Sequence, residues 1–409
     1  MNSGSGFWGI PRNPGARSAA SLIFAIVLLA TVAEWTPARA RAPQDTQAPE
    51  TTAQRLREKG WWPTKPDAAR KEFTGTESCA ACHKQIVEEQ QKTSMARAAS
   101  KAEDTEVLRS SPTISLSASQ FQTAITRERE GSTYTVAQGG NSMSGPILWS
   151  MGDGLMGETF ILRFSGNLYE SQLTYFPSIH SLDLTPGHSP AAPQDLEHAF
   201  GTLQSPDIAQ HCFACHTTAS SLRNEFDPAH ATPGITCEAC HGPGAGHVKA
   251  MQANQSEKGQ EAILDPGVFS PVEMVDFCGA CHRAPMDVIS AKDFVPINVR
   301  FQPYRLSKSR CFAKPDPRIT CVACHDPHQQ VVRDTEFYDA KCLACHASRA
   351  INVTHTGPAS RAADKAPACK VQSSHCVTCH MPRYKVPQMH GSFTDHDIRI
   401  VRPGEPYPL

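Results

Sequence analysis

Apolar residues are unevenly spread along this chain, and their pattern divides it into stretches of different texture. One largely apolar run, Ala19 to Ala33, follows Arg12 and Arg17 and precedes Pro37 and Ala38-Arg39-Ala40. Basic, apolar, then small-x-small is the order of a secretory signal, here cut after Ala40. An anchoring helix is the alternative, but the run is shorter than the roughly 20 residues that cross a bilayer. No later stretch is apolar enough to span a membrane.

Residues 41–74, rich in Pro, Ala, Gln and charge, read as a flexible lead-in. Residues 75–105 contain a helix-favouring stretch from His83 to Ala99, rich in Gln, Glu and Ala. Residues 106–200 change texture. Thr133-Tyr134-Thr135-Val136 and Phe160 to Phe164 read as strands, and the Gly166-Asn167 turn leads into Leu168-Tyr169 and Leu173 to Phe176. From 201 to 400 apolar groups are short and broken by Pro and Gly, as at Gly242-Pro243-Gly244, Asp326-Pro327 and Met381-Pro382, which favours short helices and turns; 401–409 is a tail. The expected fold is mainly α and loop-rich, with a small β-rich insert.

Composition sharpens this. Aromatic residues are 7% and mean hydropathy is −0.37, a thin core for 409 residues, so something other than side chains is expected to help fill it. A formal charge of −1 with no basic block argues against nucleic-acid binding, and no Gly-rich phosphate loop stands out.

Fourteen of the 16 cysteines form seven C-x-x-C pairs, each followed at once by His. Motif I is Cys79, Cys82 and His83; motif II is Cys212, Cys215 and His216; motif III is Cys237, Cys240 and His241. Motif IV is Cys278, Cys281 and His282; motif V is Cys321, Cys324 and His325; motif VI is Cys342, Cys345 and His346; motif VII is Cys376, Cys379 and His380. Thiols three positions apart share one side of a helical turn and can add to the two vinyl groups on one edge of a porphyrin; the next residue then lies under the iron as its axial ligand. Structural zinc, redox dithiols and disulfides all leave the His unexplained. With 18 His in the chain, His follows a given position by chance about one time in twenty, so seven in succession point to seven covalently attached haem c (heme c) groups, each with its iron. Cys311 and Cys369 remain, either bridged to each other or as two free thiols. Six motifs within 201–400 leave too little chain to wrap each haem separately, so neighbouring macrocycles must lie close.

Eleven His are not in motifs: His180, His188, His198, His211, His230, His247, His328, His355, His375, His390 and His396. A second axial ligand makes an iron that passes electrons with little rearrangement, whereas an open position binds substrate. His247 follows motif III and His328 follows motif V within a few residues, so both rank first as ligands reaching a neighbouring haem. His355, His390 and His396, near the last two motifs, rank next. His211 and His375 immediately precede a motif and rank lower, as does Met95, which an unbroken helix from His83 would carry away from its own haem.

Three stretches, Gly75-Thr76-Glu77-Ser78-Cys79-Ala80-Ala81-Cys82-His83-Lys84, Pro233 to Gly244, and Cys379-His380-Met381-Pro382 with Phe393-Thr394-Asp395-His396, resemble the bacterial multihaem cytochromes of the cytochrome c-552/c-554 type. The likeness covers 75–100 and 200–400 in motif order. It implies a mostly helical fold, stacked haem pairs and mainly bis-His ligation, with distal roles on His247, His328 and His396. Seven motifs match neither the tetrahaem carriers nor the octahaem enzymes of that wider group.

The expected function is electron transfer between redox partner proteins in the periplasm or beyond. A membrane-bound quinol oxidoreductase or a terminal reductase would suit as partner. The alternative is a multihaem oxidoreductase acting on a small nitrogen or sulfur compound at one open haem; the absence of a C-x-x-C-K motif weakens its nitrite-reducing version. Loss of residues 1–40 leaves 36 basic and 39 acidic side chains. Seven haems with ionised propionates would then bring the net charge to roughly −10 oxidised and −17 reduced, which predicts a basic docking surface on the partner.

Overall fold

The computed structural model describes residues 68–118, 120–223, 225–290, 295–313, 318–346, 374–402 and 404–407. The signal sequence, the lead-in up to residue 67, His355 and Cys369 lie outside the described residues.

Motif I rides on α1 (Thr76–Gln90), whose backbone leaves helical geometry at His83. The helix expected from His83 to Ala99 thus starts earlier and stops at Gln90. Met95 lies in the turn that follows, where its carbonyl accepts the amides of Ala98 and Ile235.

The chain then builds its largest element. Strands β1 (Ala99–Lys101), β2 (Thr113–Ala118), β3 (Phe121–Glu128), β4 (Gly131–Gln138), β5 (Asn141–Met151), β6 (Glu158–Phe164), β7 (Asn167–Phe176), β8 (Ser181–Leu184) and β9 (Gly201–Gln204) form one nine-stranded sheet. Strands β2 to β8 follow each other as an antiparallel meander; β1 pairs with the end of β5, and β9 with β7. Because β8 returns beside β2, the sheet is nearly closed into a barrel.

Period-two burial explains its interior. Phe121, Thr123 and Ile125 of β3 and Ser132, Tyr134 and Val136 of β4 point inward, with their neighbours more exposed. Helix α2 (Leu196–Phe200), capped by Asp195 accepting the His198 amide, inserts Phe200. The Phe200 ring sits 5.6 Å from Tyr134 and 5.5 Å from Tyr169, both edge-to-face. In β6 Phe160, Ile161 and Leu162 are all buried, so the sheet is covered on both faces there. Phe160 and Leu162 face the barrel core, while Ile161 joins Trp149, Phe213 and Ala231 in a second cluster.

A mainly α fold with a small β-rich insert is therefore corrected: the β-rich segment is a large antiparallel sheet nearly closed into a barrel, and the fold is not clearly mainly α. Two features hide it in the sequence. Strands such as Thr113-Ile114-Ser115-Leu116-Ser117-Ala118 carry small polar residues on alternate positions, and Gly145-Pro146 reads as a break in β5. In the sheet, a Cβ on Gly145 would strike the Arg163 carbonyl and crowd the Phe200 ring.

The remaining motifs occupy short helices: α3 (Pro206–His216), α4 (Cys237–His241), α5 (Ala245–Gln252), which carries His247, α6 (Pro271–His282), α7 (Gln302–Ser307), which carries no motif, α8 (Cys321–Cys324), α9 (Thr335–His346) and α10 (Cys376–His380). A hairpin of β10 (Arg383–Val386) and β11 (Gly391–Thr394) follows.

Candidate haem sites

Helices α3, α4, α6, α9 and α10 all end at their motif His. The two thiols therefore project from the last helical turn, and the imidazole stands where the chain leaves the helix. Motif VI follows this plan: Cys342 and Cys345 are both half-buried on the last turn of α9, with Cys345 within charge range of Cys342. Helices α3 and α6 start in the same way. Ser205 accepts the Ile208 amide ahead of Pro206; Ser270 accepts the Glu273 amide ahead of Pro271, and Glu273 returns a bond to the Ser270 amide. Phe213, between the thiols Cys212 and Cys215 of motif II, packs edge-to-face between Trp149 at 5.2 Å and Phe226 at 5.3 Å, which docks α3 on the outer face of the sheet.

Three motif imidazoles face a second imidazole from a distant part of the chain. Ring centres of His83 and His247 are 6.5 Å apart with 27° between planes; His241 and His328, 6.0 Å and 10°; His325 and His396, 6.2 Å and 40°. A metal between two imidazole nitrogens needs about 2 Å on each side, and about 1.1 Å more to each ring centre, or about 6.2 Å in all. The spacing fits a haem iron held between each pair.

Hydrogen bonding points the same way. Nδ1 of His241 faces the Leu264 carbonyl, that of His247 the Gly259 carbonyl, and that of His396 the Thr394 carbonyl, at 2.9, 2.8 and 3.0 Å. Nδ1 of His216 and His380 reach the carbonyls of Ala98 and Arg399. Donation from Nδ1 fixes the ring and leaves Nε2 with its lone pair for a metal. Burial pushes the imidazoles of His216, His282 and His325 down from the ordinary histidine value and that of His396 down to about 4, so these rings are neutral, as a ligand must be.

The other candidates are placed differently. His390 gives its Nε2 to Asp183 at 2.7 Å and packs edge-to-face on Phe176, against the sheet. His216, His282 and His380 stand outside the three pairs. The zinc alternative needs four converging donors; among the described residues no three His, Cys, Asp or Glu side chains converge to hold a bare ion.

Contacts between motifs run in a definite order. The thiol of Cys79 lies against that of Cys237, Cys215 against Cys281, Cys278 against Cys321, and Cys342 against Cys376. Cys240 lies within charge range of Cys281, and Cys324 of Cys342. Motif IV thus adjoins II and V, III adjoins I, and VI adjoins VII, while III with IV and V with VI approach at longer range.

Carboxylates absent from the sequence reading hold this order. Buried Glu238, inside motif III, accepts the amides of Thr74, Gly75 and Gly244 at 2.8, 2.9 and 2.8 Å, fastening the start of α1 to α4. Asp339 of α9 accepts the amides of His375 and Cys376 at 2.6 and 2.8 Å, fastening motif VI to VII. Buried Asp395 binds Arg305 of α7 at 2.8 Å and Arg399 at 2.7 Å, and so fixes the strip that presents His396. Glu238, within Pro233 to Gly244, and Asp395, within Phe393 to His396, lie in segments the sequence singles out, though neither is given a role there; Asp339 lies in none.

The chain is similar to known cytochromes. A family described as cytochrome c554 and c-prime matches residues 184–242, which contain motifs II and III. Multihaem cytochrome MtrA of Shewanella baltica (strain OS185) is 24% identical over 206 residues, 47% of this chain and 50% of the relative. The chain thus spans about half the length of that curated relative. A crystal structure of outer cell wall cytochrome OcwA superposes with a TM-score of 0.46 at 14% identity, covering 81% of this chain and 80% of that one. The seven motifs and these sequence matches together support a multihaem c-type cytochrome. Membership of that class implies covalently bound haem c and its iron.

Proposed function

We propose that all seven motifs carry haem and that the protein passes electrons through a continuous series of them between redox partners outside the cytoplasm. The observation that carries this is proximity: each motif adjoins at least one other, and the order I, III, IV, V, VI, VII, with II branching from IV, is bridged at longer range between III and IV and between V and VI. Irons tethered at neighbouring motifs are close enough for electrons to hop without a mobile carrier. In this reading His247 completes the coordination of the iron at His83, His328 that at His241, and His396 that at His325. The sheet-forming segment 106–200 serves as a scaffold for α3 rather than a redox element, since its interior is filled by side chains. Export is supported by the N-terminal pattern; among the described residues no helix is long and apolar enough to cross a membrane.

A second reading, catalysis at one open iron, is favoured by one observation: His216 and His282 stand outside the three imidazole pairs and border a common cavity. Mass spectrometry and EPR of the holoprotein test both readings. Seven haem masses with uniformly low-spin iron are expected for the carrier. A high-spin signal that shifts on adding nitrite or hydroxylamine would favour the enzyme, and bare polypeptide would refute both.

A further inference from the structure

The cavity between motifs II and IV is bordered by Cys215, His216, His282, Arg283, Arg300 and Phe301. It brings together two guanidinium groups. Arg300 is largely enclosed; its Nη1 donates to the Met389 sulfur at 3.0 Å, and its other contact is its own neighbour's ring, Phe301. Arg283 follows His282 directly, at the end of α6, in a left-handed conformation with φ of +67°. Among the described residues neither arginine has a carboxylate within ion-pair distance. Two acids of this region are engaged by other groups: Asp287 accepts the Ala284 amide, and Glu170 lies beside His188. A thioether is a weak acceptor for a charged donor, and exposed Arg283 brings a second positive charge to the cavity that Arg300 borders, so the two repel. The pair lacks an anion.

We infer that Arg283 and Arg300 form a carboxylate-binding site that takes propionates of the haems tethered at motifs II and IV. The inference rests on the proposal that these motifs carry haem. Guanidinium forks match carboxylates geometrically, and each attached macrocycle brings two. The charge has a redox consequence. Reducing ferric haem adds one electron with no change of ligand, and nearby positive charge favours the more negative state, so these haems acquire a raised potential. Motif IV is the branch point of the series. Electrons supplied at any end therefore collect there first.

The test is a spectroelectrochemical titration of the holoprotein with Arg300→Gln, Arg283→Gln and Arg300→Lys, after haem content has been counted by mass. Each Gln variant is expected to keep all its haems and to lower the midpoint of the highest-potential component by about 59 mV, a tenfold loss in its share of the electron. Arg300→Lys, which keeps the charge, is expected to recover most of it. Unmoved midpoints at full haem content would overturn this assignment alone; missing haem in the parent protein would overturn the function beneath it. Should Arg300→Gln fail to fold, Arg283→Gln and Arg300→Lys still decide. Free phosphate titrated against chloride at equal ionic strength is expected to leave the midpoint unchanged; a phosphate-dependent shift would show that a free anion, not a propionate, fills the site.

Discussion

Replacing Glu238 by Ala is expected to detach motif I from motif III. Its carboxylate is 5% exposed and accepts three backbone amides, two on Oε1 from Thr74 and Gly244 and one on Oε2 from Gly75. Hydrogen bonds to a charged group contribute roughly 1.5–3 kcal/mol each, and an abandoned buried donor costs a similar amount. Water entering the vacated space recovers part of this, so a loss of about 4 kcal/mol is expected. Glu238→Gln separates the two oxygens. The amide oxygen can keep the bonds from Thr74 and Gly244, but the amide nitrogen must then face the Gly75 amide, donor against donor, at a cost of about 2 kcal/mol. The axial bond from His247, six residues beyond motif III, still ties the haem of motif I to that part of the chain, but it replaces none of the three lost amide bonds. The assay is denaturant unfolding of the holoprotein followed by circular dichroism and the haem absorbance band, with EPR of the iron at His83 as the local readout. An Ala variant within about 0.5 kcal/mol of the parent, or one no worse than Gln, would refute the account of Glu238 as the fastener.

Three further substitutions test other parts of the molecule. Phe213→Ala removes a fully buried ring between Trp149 and Phe226 and is expected to cost about 3–5 kcal/mol in denaturant unfolding, loosening α3 from the sheet; a loss below about 1 kcal/mol would contradict that docking. Asp395→Ala takes from the buried Arg305 its carboxylate at 2.8 Å, leaving the longer contact to Asp397 at 3.4 Å, and is expected to cost about 3 kcal/mol and to alter the EPR signal of the iron at His325, whereas an unchanged signal would separate the Arg305 anchor from His396. Burial pushes the Glu158 carboxyl above the ordinary glutamate value, against a lowering by the Ser150 hydroxyl that donates to it at 2.9 Å. The folded state thus holds this proton more tightly than the unfolded one, and stability from this group falls as pH rises from the ordinary glutamate value through the folded one. Glu158→Gln is expected to match the parent near pH 4 and to exceed it by on the order of 1 kcal/mol at pH 7; melting curves at the two pH values whose difference does not grow with pH would refute this.

The attachment residues are legible because covalent chemistry demands a fixed local spacing. His247 and His328 stand out by lying beside a motif. Which imidazole each one faces is invisible, since the partners are far apart in the chain and only folding brings them together. Arg305, Asp339 and Glu238 carry no local signature at all: an acid inside a C-x-x-C looks like any exposed residue until the amides it collects are placed around it. His390 shows the reverse. Its position near the last motifs suggests a ligand, yet Asp183 and Phe176 of the sheet engage it. The sheet itself is faint in the sequence because seryl and threonyl positions dilute the alternation that marks strands, while the hairpin at Gly166-Asn167 is legible from its turn residues alone.

The long reach of the three imidazole pairs bears on how the molecule is made. A polypeptide emerging from its amino end presents Cys79, Cys82 and His83 well before His247 exists, and His325 before His396. Prosthetic groups fastened as the thiols appear would spend part of biosynthesis with one face bare, and the last pair closes only when nearly the whole chain is out. Premature termination close to the carboxyl end would therefore leave every attachment cysteine in place and still deliver a protein with one unfinished centre.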